Sequence, residues 1–296
     1  MTVELFFQQL INAISLGSLY ALLALGLAIV YGVLKVLNFA HGSLVAVTGY
    51  IMWLISMELE LPFAVAIAAG ILGATGVSIL TERVAFRPLR GSKYAVMLMS
   101  SFAVAIIIEN LIRLLIDPRP KGLRIPPVFD KVIRIGAFRI GSLSIITLVI
   151  SLIVMGLLIY FLLRTRWGMA LRAAAVDFDV TRLVGVPANR IISLAFAIAG
   201  LLAGIAAALW VIRVGGIAPT MGLVPIIKAF VANVIGGLGS LPGAVVGGLI
   251  LGFFDIFLKA FLPPGVRPYV EAISLVAVVV ILYFRPQGIM IKGEEK

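Results

Sequence analysis

The chain contains apolar runs that are too long for the interior of a water-soluble domain of its size. The first extends over about residues 5–31. A helix rises about 1.5 Å per residue, so roughly 20 residues cross a hydrocarbon core of about 30 Å. Strands of a membrane barrel would alternate apolar and polar residues, whereas these runs are continuously apolar. The further runs lie at 39–57, 62–80, 94–116, 142–163, 191–212, 223–238, 243–262 and 268–284.

The composition also indicates that the apolar runs are helices that cross a membrane. Of the 296 residues, 62% are hydrophobic and only 12% are charged. We therefore predict an all-α fold, a polytopic membrane helix bundle of about eight to ten spans that forms one transmembrane domain over residues 1–296. Some of the runs could be half-helices, which is why the number of spans stays a range.

The net charge of +11 does not indicate a nucleic-acid partner, because the basic residues fall mostly in short loops between apolar runs. Nine of them lie in 83–93 and 164–190, and six lie in 117–141. Cytoplasmic loops carry the excess of Lys and Arg, so we place 83–93 and 164–190 in the cytoplasm and 117–141 outside. The N-terminus is then outside and the tail from Arg285 inside. Alternating apolar and basic residues in 117–141 predict a short hairpin.

The sequence lacks the residues and motifs that several kinds of chemistry require. There is no cysteine, only one histidine, and no Gly-x-x-x-x-Gly-Lys-Ser/Thr run. Disulfides, thiolate sites, a metal cluster and a P-loop are therefore not expected, and we predict that the chain is not an enzyme.

Two segments interrupt the apolar pattern with polar or helix-breaking residues. The first, Tyr31–Ser43, contains a lysine, an asparagine and the single histidine. It is either a loop at the membrane surface or a discontinuous helix whose backbone lines a polar cavity. The second, Gly236–Leu249, is rich in glycine. It indicates either close helix packing or the counterpart of the first interruption in a second, related half of the chain, and both can hold.

Paired interruptions of this kind point to a pathway between two pseudo-repeat halves. The candidate pathway residues are Asn38, His41, Gly42, Ser43, Gly237, Gly239 and Ser240.

The segment 164–190 is long for a membrane connector. Good helix formers over Gly168–Leu183 predict a short cytoplasmic helix with Leu171, Ala174 and Ala175 on one face. The alternative is a surface helix that lies on the bilayer.

Charged residues within the apolar runs occur as spaced pairs. Glu109 is followed by Arg113, and Asp255 by Lys259, each four residues apart. We expect each pair to neutralise itself on one helix face rather than to form a proton relay.

The segment Tyr31-Gly-Val-Leu-Lys-Val-Leu-Asn-Phe-Ala-His-Gly-Ser43 closely resembles the high-affinity branched-chain amino acid permease family, the smaller of the two membrane subunits in that ABC system. The resemblance covers nearly the whole chain in order. It continues through Arg87-Pro-Leu-Arg90, Gly168-Met-Ala-Leu-Arg-Ala-Ala-Ala175, Gly236-Gly-Leu-Gly-Ser-Leu-Pro-Gly243 and Arg285-Pro-Gln-Gly288.

The resemblance implies a prokaryotic inner-membrane importer for Leu, Ile and Val that works by alternating access. Its expected partners are a second permease subunit, two cytoplasmic ATPases that bind and hydrolyse the ATP, and an extracytoplasmic amino-acid-binding protein. The chain itself is expected to hold no cofactor. In this family a coupling loop carries Glu-Ala-Ala and a later glycine, and 164–190 contains a degenerate version without the glutamate. The corresponding residues are Arg172, Ala173, Ala174, Ala175 and Gly185.

Other functions stay open at the level of sequence. An ABC permease for urea, short amides or another small nutrient would look similar. An ion-coupled secondary transporter also needs broken helices, but it does not need a docking helix in the cytoplasm. A structural membrane scaffold would explain the hydrophobicity but not the paired interruptions.

Overall fold

The computed structural model describes residues 3–135, 138–183, 187–284 and 288–290, and helices dominate it. The helices are α1 (Val3–Leu34), α2 (Ala40–Trp53), α3 (Phe63–Thr81), α4 (Tyr94–Leu115), α5 (Ser142–Arg164), α6 (Arg166–Val176), α7 (Phe178–Leu183), α8 (Ala188–Val214), α9 (Leu223–Gly236), α10 (Leu241–Phe261) and α11 (Val270–Phe284). Single π-helical turns extend α2 and α3 over Leu54–Glu58 and Glu82–Phe86.

Seven of the described helices are long and apolar enough to cross a membrane, namely α1, α2, α3, α4, α5, α8 and α10. The predicted all-α membrane bundle is confirmed. The remaining apolar helices are shorter, with 14 residues in α9 and 15 in α11. Helix α9 is only about 21 Å long, which is less than the thickness of a hydrocarbon core.

Helix α1 occupies the centre of the bundle, and 94% of an apolar stretch of 18 residues within it is buried. It packs most extensively against α10 and α8. Gly248 of α10 lies so close to α1 that a Cβ there would be 2.5 Å from the backbone nitrogen of Ala21, and a Cβ on Gly252 would collide with Gly17. Gly243 and Gly247 face α9 instead. As expected, these glycines allow close helix packing, and they do so on two sides of α10, against α1 and against α9.

The first interruption is a re-entrant segment within the bundle. Helix α1 ends at Leu34, Lys35 takes a left-handed conformation with φ 55°, and α2 starts at Ala40. The His41 ring lies against Gly26, eight residues before the end of α1 and therefore about 12 Å back along its axis. The chain has turned back into the bundle, which supports the discontinuous helix over the surface loop.

The second interruption is a tight turn between α9 and α10. Gly237 and Gly239 have φ of 106° and 83°, which favours glycine, and the Ser240 side chain caps α10 by accepting a hydrogen bond from the Gly243 amide at 3.1 Å. A Cβ on Gly239 would lie 3.3 Å from the Tyr31 ring. This turn therefore lies beside the end of α1.

Short strands cover the end of the bundle opposite α6 and α7. Strands β2 (Val132–Ile135) and β3 (Phe138–Gly141) form the predicted hairpin, and β1 (Lys121–Gly122) pairs with β4 (Gly216–Ile217). Both pairs are antiparallel. The segment 117–141 is thereby tied to the chain that follows α8, and α5 separates it from 164–190.

We predict that Gly252→Ala lowers the stability of the purified protein, because the added Cβ would collide with Gly17. Overpacking of this kind costs about 1–3 kcal/mol. The matched control is Gly76→Ala, since a Cβ on Gly76 meets nothing within 4 Å. Thermal unfolding in detergent compares the two, and equal melting temperatures would contradict the close α1–α10 contact.

Candidate translocation site

A cavity of about 230 Å³ lies where the N-terminal ends of α2 and α9 meet α4. Its walls are mainly apolar, with a few polar groups. The lining residues are Phe39, Gly42, Ser43, Phe102, Ala105, Ile106, Glu109, Thr220, Gly222, Leu223 and Ile226. Drug-sized ligands occupy pockets of about 300–1,000 Å³, so this cavity suits a smaller solute.

Two glycines bring the short helix α9 next to α2. A Cβ on Gly42 would lie 2.9 Å from the Gly222 carbonyl oxygen, and a Cβ on Gly222 would collide with Gly42. The ends of two helix dipoles therefore converge beside the cavity, and these ends carry partial positive charge.

The aromatic wall of the cavity joins α2 to α4. The rings of Phe39 and Phe102 are stacked with centroids 4.3 Å apart. The Phe39 amide donates a hydrogen bond to Ser101 Oγ at 3.3 Å, and Ser43 Oγ donates to the Ala105 carbonyl oxygen at 3.5 Å. These contacts hold the re-entrant end of α2 against α4.

Glu109 supplies the acidic group of the cavity wall. Its Oε2 lies 3.8 Å from an Arg113 nitrogen, and both side chains are partly exposed. The predicted pairing of these two residues is confirmed. An exposed ion pair at this distance is weak, so the Glu109 carboxylate can still bind a second cation.

The structure separates the predicted pathway residues into different environments. Gly42 and Ser43 line the cavity, and Asn38 borders a narrow recess between Leu27 and Phe230. His41 does not line the cavity, because only 1% of it is exposed and its ring lies against Gly26 of α1.

The glycine-rich turn is also remote from the cavity. Gly237, Gly239 and Ser240 follow the opposite end of α9, about 21 Å along the helix from the cavity. The second interruption reaches the first at Tyr31, which lies beside Gly239, but the segment that meets the cavity end of the first interruption at Gly42 is 215–222. The signal for that segment was available in the sequence, since Gly215, Gly216, Pro219 and Gly222 interrupt an apolar region.

Comparison with known proteins agrees with this architecture. A family model described as "Branched-chain amino acid transport system / permease component" matches residues 9–284. The chain belongs to this permease family. BraD of Pseudomonas aeruginosa is 36% identical over 98% of this chain and 97% of its own length. LivH of Escherichia coli K12 is 34% identical over 98% of this chain and 96% of its own. Both carry the name high-affinity branched-chain amino acid transport system permease protein.

The fold also resembles that of PsaBC from Streptococcus pneumoniae, solved in complex with Fab. The TM-score is 0.50 over 97% of this chain and 94% of that chain, at 13% identity. This likeness concerns the fold alone. The relatives in sequence are transport permeases rather than enzymes, and the predicted multi-pass membrane location is confirmed.

A buried charge cluster joins four helices of the permease. Lys228 Nζ lies 2.8 Å from Asp255 Oδ1, Tyr20 donates a hydrogen bond to Asp255 Oδ2 at 2.9 Å, and Ser274 donates to Oδ1 at 2.8 Å. The predicted pair of Asp255 with Lys259 is wrong, because Lys259 is exposed while Asp255 faces α9. The rotation of α10 about its axis decides which residue pairs with Asp255. The spacing of residues along α10 alone does not reveal that partner.

The permease segment 164–190 is divided where one helix was predicted over Gly168–Leu183. Asp177 separates α6 from α7, and its side chain accepts a hydrogen bond from the Val180 amide at 2.9 Å. Leu171 and Ala174 are each only 2% exposed, because this face packs against the subunit's own bundle. Leu171 and Ala174 are therefore not accessible to a partner.

The outward face of α6 carries other residues. Arg172 and Ala173 are exposed, and Val176 is 87% exposed. Lys35 Nζ donates a hydrogen bond to the Ala175 carbonyl oxygen at 3.0 Å, which links α6 to the start of the re-entrant segment. Gly185 lies outside the described residues.

We predict that Lys228→Met destabilises the permease by about 3–5 kcal/mol, because it leaves the buried Asp255 carboxylate without its cation. Chemical or thermal unfolding in detergent measures the change. Arg113→Gln is the control, since it removes an exposed pair that contributes at most about 1 kcal/mol. A loss for Lys228→Met no larger than that of the control would contradict a stabilising role of the cluster.

Proposed function

We propose that this permease carries Leu, Ile and Val across a prokaryotic inner membrane as one membrane subunit of an ABC importer. The observation that supports this most directly is the small cavity between α2, α4 and α9, with apolar walls and few polar groups. BraD and LivH match nearly the whole chain, and their names favour the same cargo.

The cavity offers a separate environment to each part of a branched-chain amino acid. Ile106, Leu223 and Ile226 suit an aliphatic side chain, which needs no hydrogen-bond partner. The N-terminal ends of α2 and α9 attract the carboxylate. Glu109 faces the same space and attracts the ammonium group. A weak site of this kind suits a carrier that must also release its cargo.

The energy comes from partner subunits in this proposal. The sequence contains no P-loop, so two cytoplasmic ATPases bind and hydrolyse the ATP. A second permease subunit completes the pathway, and an extracytoplasmic binding protein delivers the amino acid. The chain itself requires no cofactor.

A physical route connects the ATPase side to the cavity. The exposed face of α6 contacts an ATPase, and Lys35 joins α6 to the re-entrant segment through the Ala175 carbonyl oxygen. That segment leads directly to Phe39 and Gly42 at the cavity wall. Displacement of α6 would therefore move the end of α2 relative to α4 and α9, which is the change that alternating access requires.

An ion-coupled mechanism has less support. Asp255 is neutralised by Lys228 and receives two further hydrogen bonds, so this buried carboxylate does not resemble a free proton carrier. Glu109 pairs only weakly with Arg113, and in this proposal it attracts the ammonium group of the amino acid.

We predict that Ala105→Trp reduces leucine uptake at least tenfold, because the indole fills a cavity of about 230 Å³. Uptake of labelled leucine is measured in cells that produce the complete system. Ala103→Trp is the matched control, since Ala103 is exposed on the same helix and does not line the cavity. Unchanged uptake in Ala105→Trp would exclude this cavity from the pathway. Inhibition of wild-type uptake by urea but not by isoleucine or valine would instead assign another cargo.

We predict that Val176→Asp reduces the amount of ATPase that copurifies with the permease by at least fivefold. The substitution places a charge at an 87% exposed apolar residue of α6 without disturbing the buried face. The control is Val214→Asp, at an exposed residue on the opposite end of the bundle. Quantitative mass spectrometry of the purified complexes gives the ratio, and full retention of the ATPases in Val176→Asp would contradict this docking face.

A further inference from the structure

A second cavity lies on the outer surface of the bundle, at the end that carries α6 and α7. Its volume is about 470 Å³, and it opens between the ends of α3, α5 and α8. The charge pattern of the loops places this end of the permease in the cytoplasm. The cavity is therefore at the level of the inner leaflet and is separate from the translocation site.

The polar part of this cavity is basic. Arg83, Arg87 and Arg190 all line it, and each is exposed. Among the described residues, none of these three arginines forms an ion pair. Glu82, which precedes Arg83 in the sequence, is fully buried and already bonded to Arg90 and Ser193. Three like charges around one cavity attract an anion, and guanidinium groups match the geometry of phosphate oxygens.

Apart from Asn189 and Ser193, the remaining walls are apolar and continue toward the membrane. Ile79, Phe161, Leu194 and Ala197 line this part. Trp167 stands at the edge, and an amphipathic ring of this kind is typical of the interface between headgroups and hydrocarbon. A soluble phosphate would leave this apolar wall unused.

We propose that this crevice, defined by Arg83, Arg87, Trp167, Arg190, Leu194 and Ala197, binds an anionic phospholipid. The phosphate of the headgroup contacts the arginines, and an acyl chain lies against Leu194 and Ala197. Basic pockets between membrane helices on the cytoplasmic side recognise such headgroups. The bound lipid neutralises the arginines and fills the gap between α5 and α8 at the start of the segment that carries α6.

The test uses the full-length permease, purified together with its accompanying subunits, and native mass spectrometry that resolves lipid adducts on the released permease. Phosphatidylglycerol and phosphatidylcholine of equal chain length are supplied at equal concentration. Each arginine near an anionic headgroup contributes about fivefold to binding. We expect wild type to prefer phosphatidylglycerol, and the variant Arg83→Gln/Arg87→Gln/Arg190→Gln to lose at least tenfold of that binding.

Matched variants separate the headgroup from the acyl chain. Lys93→Gln removes an exposed basic residue outside the crevice and should leave the preference unchanged. Ala197→Trp fills the apolar wall with the arginines intact and should reduce binding of phosphatidylglycerol, while Ala64→Trp, at an exposed residue near the other end of α3, should not. These single variants also serve if the triple variant fails to fold.

The outcomes that overturn the proposal are distinct. A triple variant that keeps its preference for phosphatidylglycerol would exclude the arginines as the headgroup site. Displacement of the lipid by millimolar inorganic phosphate would identify a site for a soluble anion. Loss of the ATPases from the triple variant, with lipid binding unchanged, would assign this surface to a protein partner instead.

Discussion

The close contact between α1 and α10 is the interaction on which the other parts of the structure depend. Inside a bilayer the packing of helices relies on van der Waals contact, because lipid chains are as apolar as the helices themselves. Glycines at 17, 248 and 252 let the two backbones touch, and α1 can then be surrounded by other helices. A central helix of this kind gives every later element a fixed surface to pack on. Gly26 on the same helix provides the space that His41 and the beginning of α2 occupy.

Helix α9 shows how a segment too short to cross the bilayer is held in place. Gly222 contacts Gly42 at one end, Lys228 pairs with Asp255 further along, and Gly236 contacts Gly243 at the other end. At the breaks on either side of α9, Gly222, Gly236 and Gly237 are buried in protein, which suits backbone groups that would find no hydrogen-bond partners in hydrocarbon. The charge pair also orients α9, since Lys228 points toward α10 while Ile226 faces the cavity.

The end of the permease that carries α6 and α7 combines three different environments around one segment. The inner face of α6 is buried against the bundle, its outer face is free for a partner, and Trp167 at its beginning borders the basic crevice. Lys35 connects α6 to the re-entrant segment and so to the cavity wall. Under the proposed function, forces on α6 reach the cavity through this link, and an anionic lipid beside Trp167 would influence how α6 is held.

The sequence by itself determined the all-α membrane bundle, most of the helix positions, the two interruptions and the family, because apolar run length, breaker residues and local motifs can be read along the chain. It also predicted the Glu109–Arg113 pair correctly, since both residues lie on one helix. Only the tertiary structure decided that Asp255 pairs with Lys228, that His41 faces α1, that the segment 215–222 meets the first interruption at Gly42, and that Ala174 points inward. These features depend on how residues far apart in the chain are brought together. When a helix is apolar on all sides, its sequence does not show which side meets which neighbour, and packing alone makes that choice.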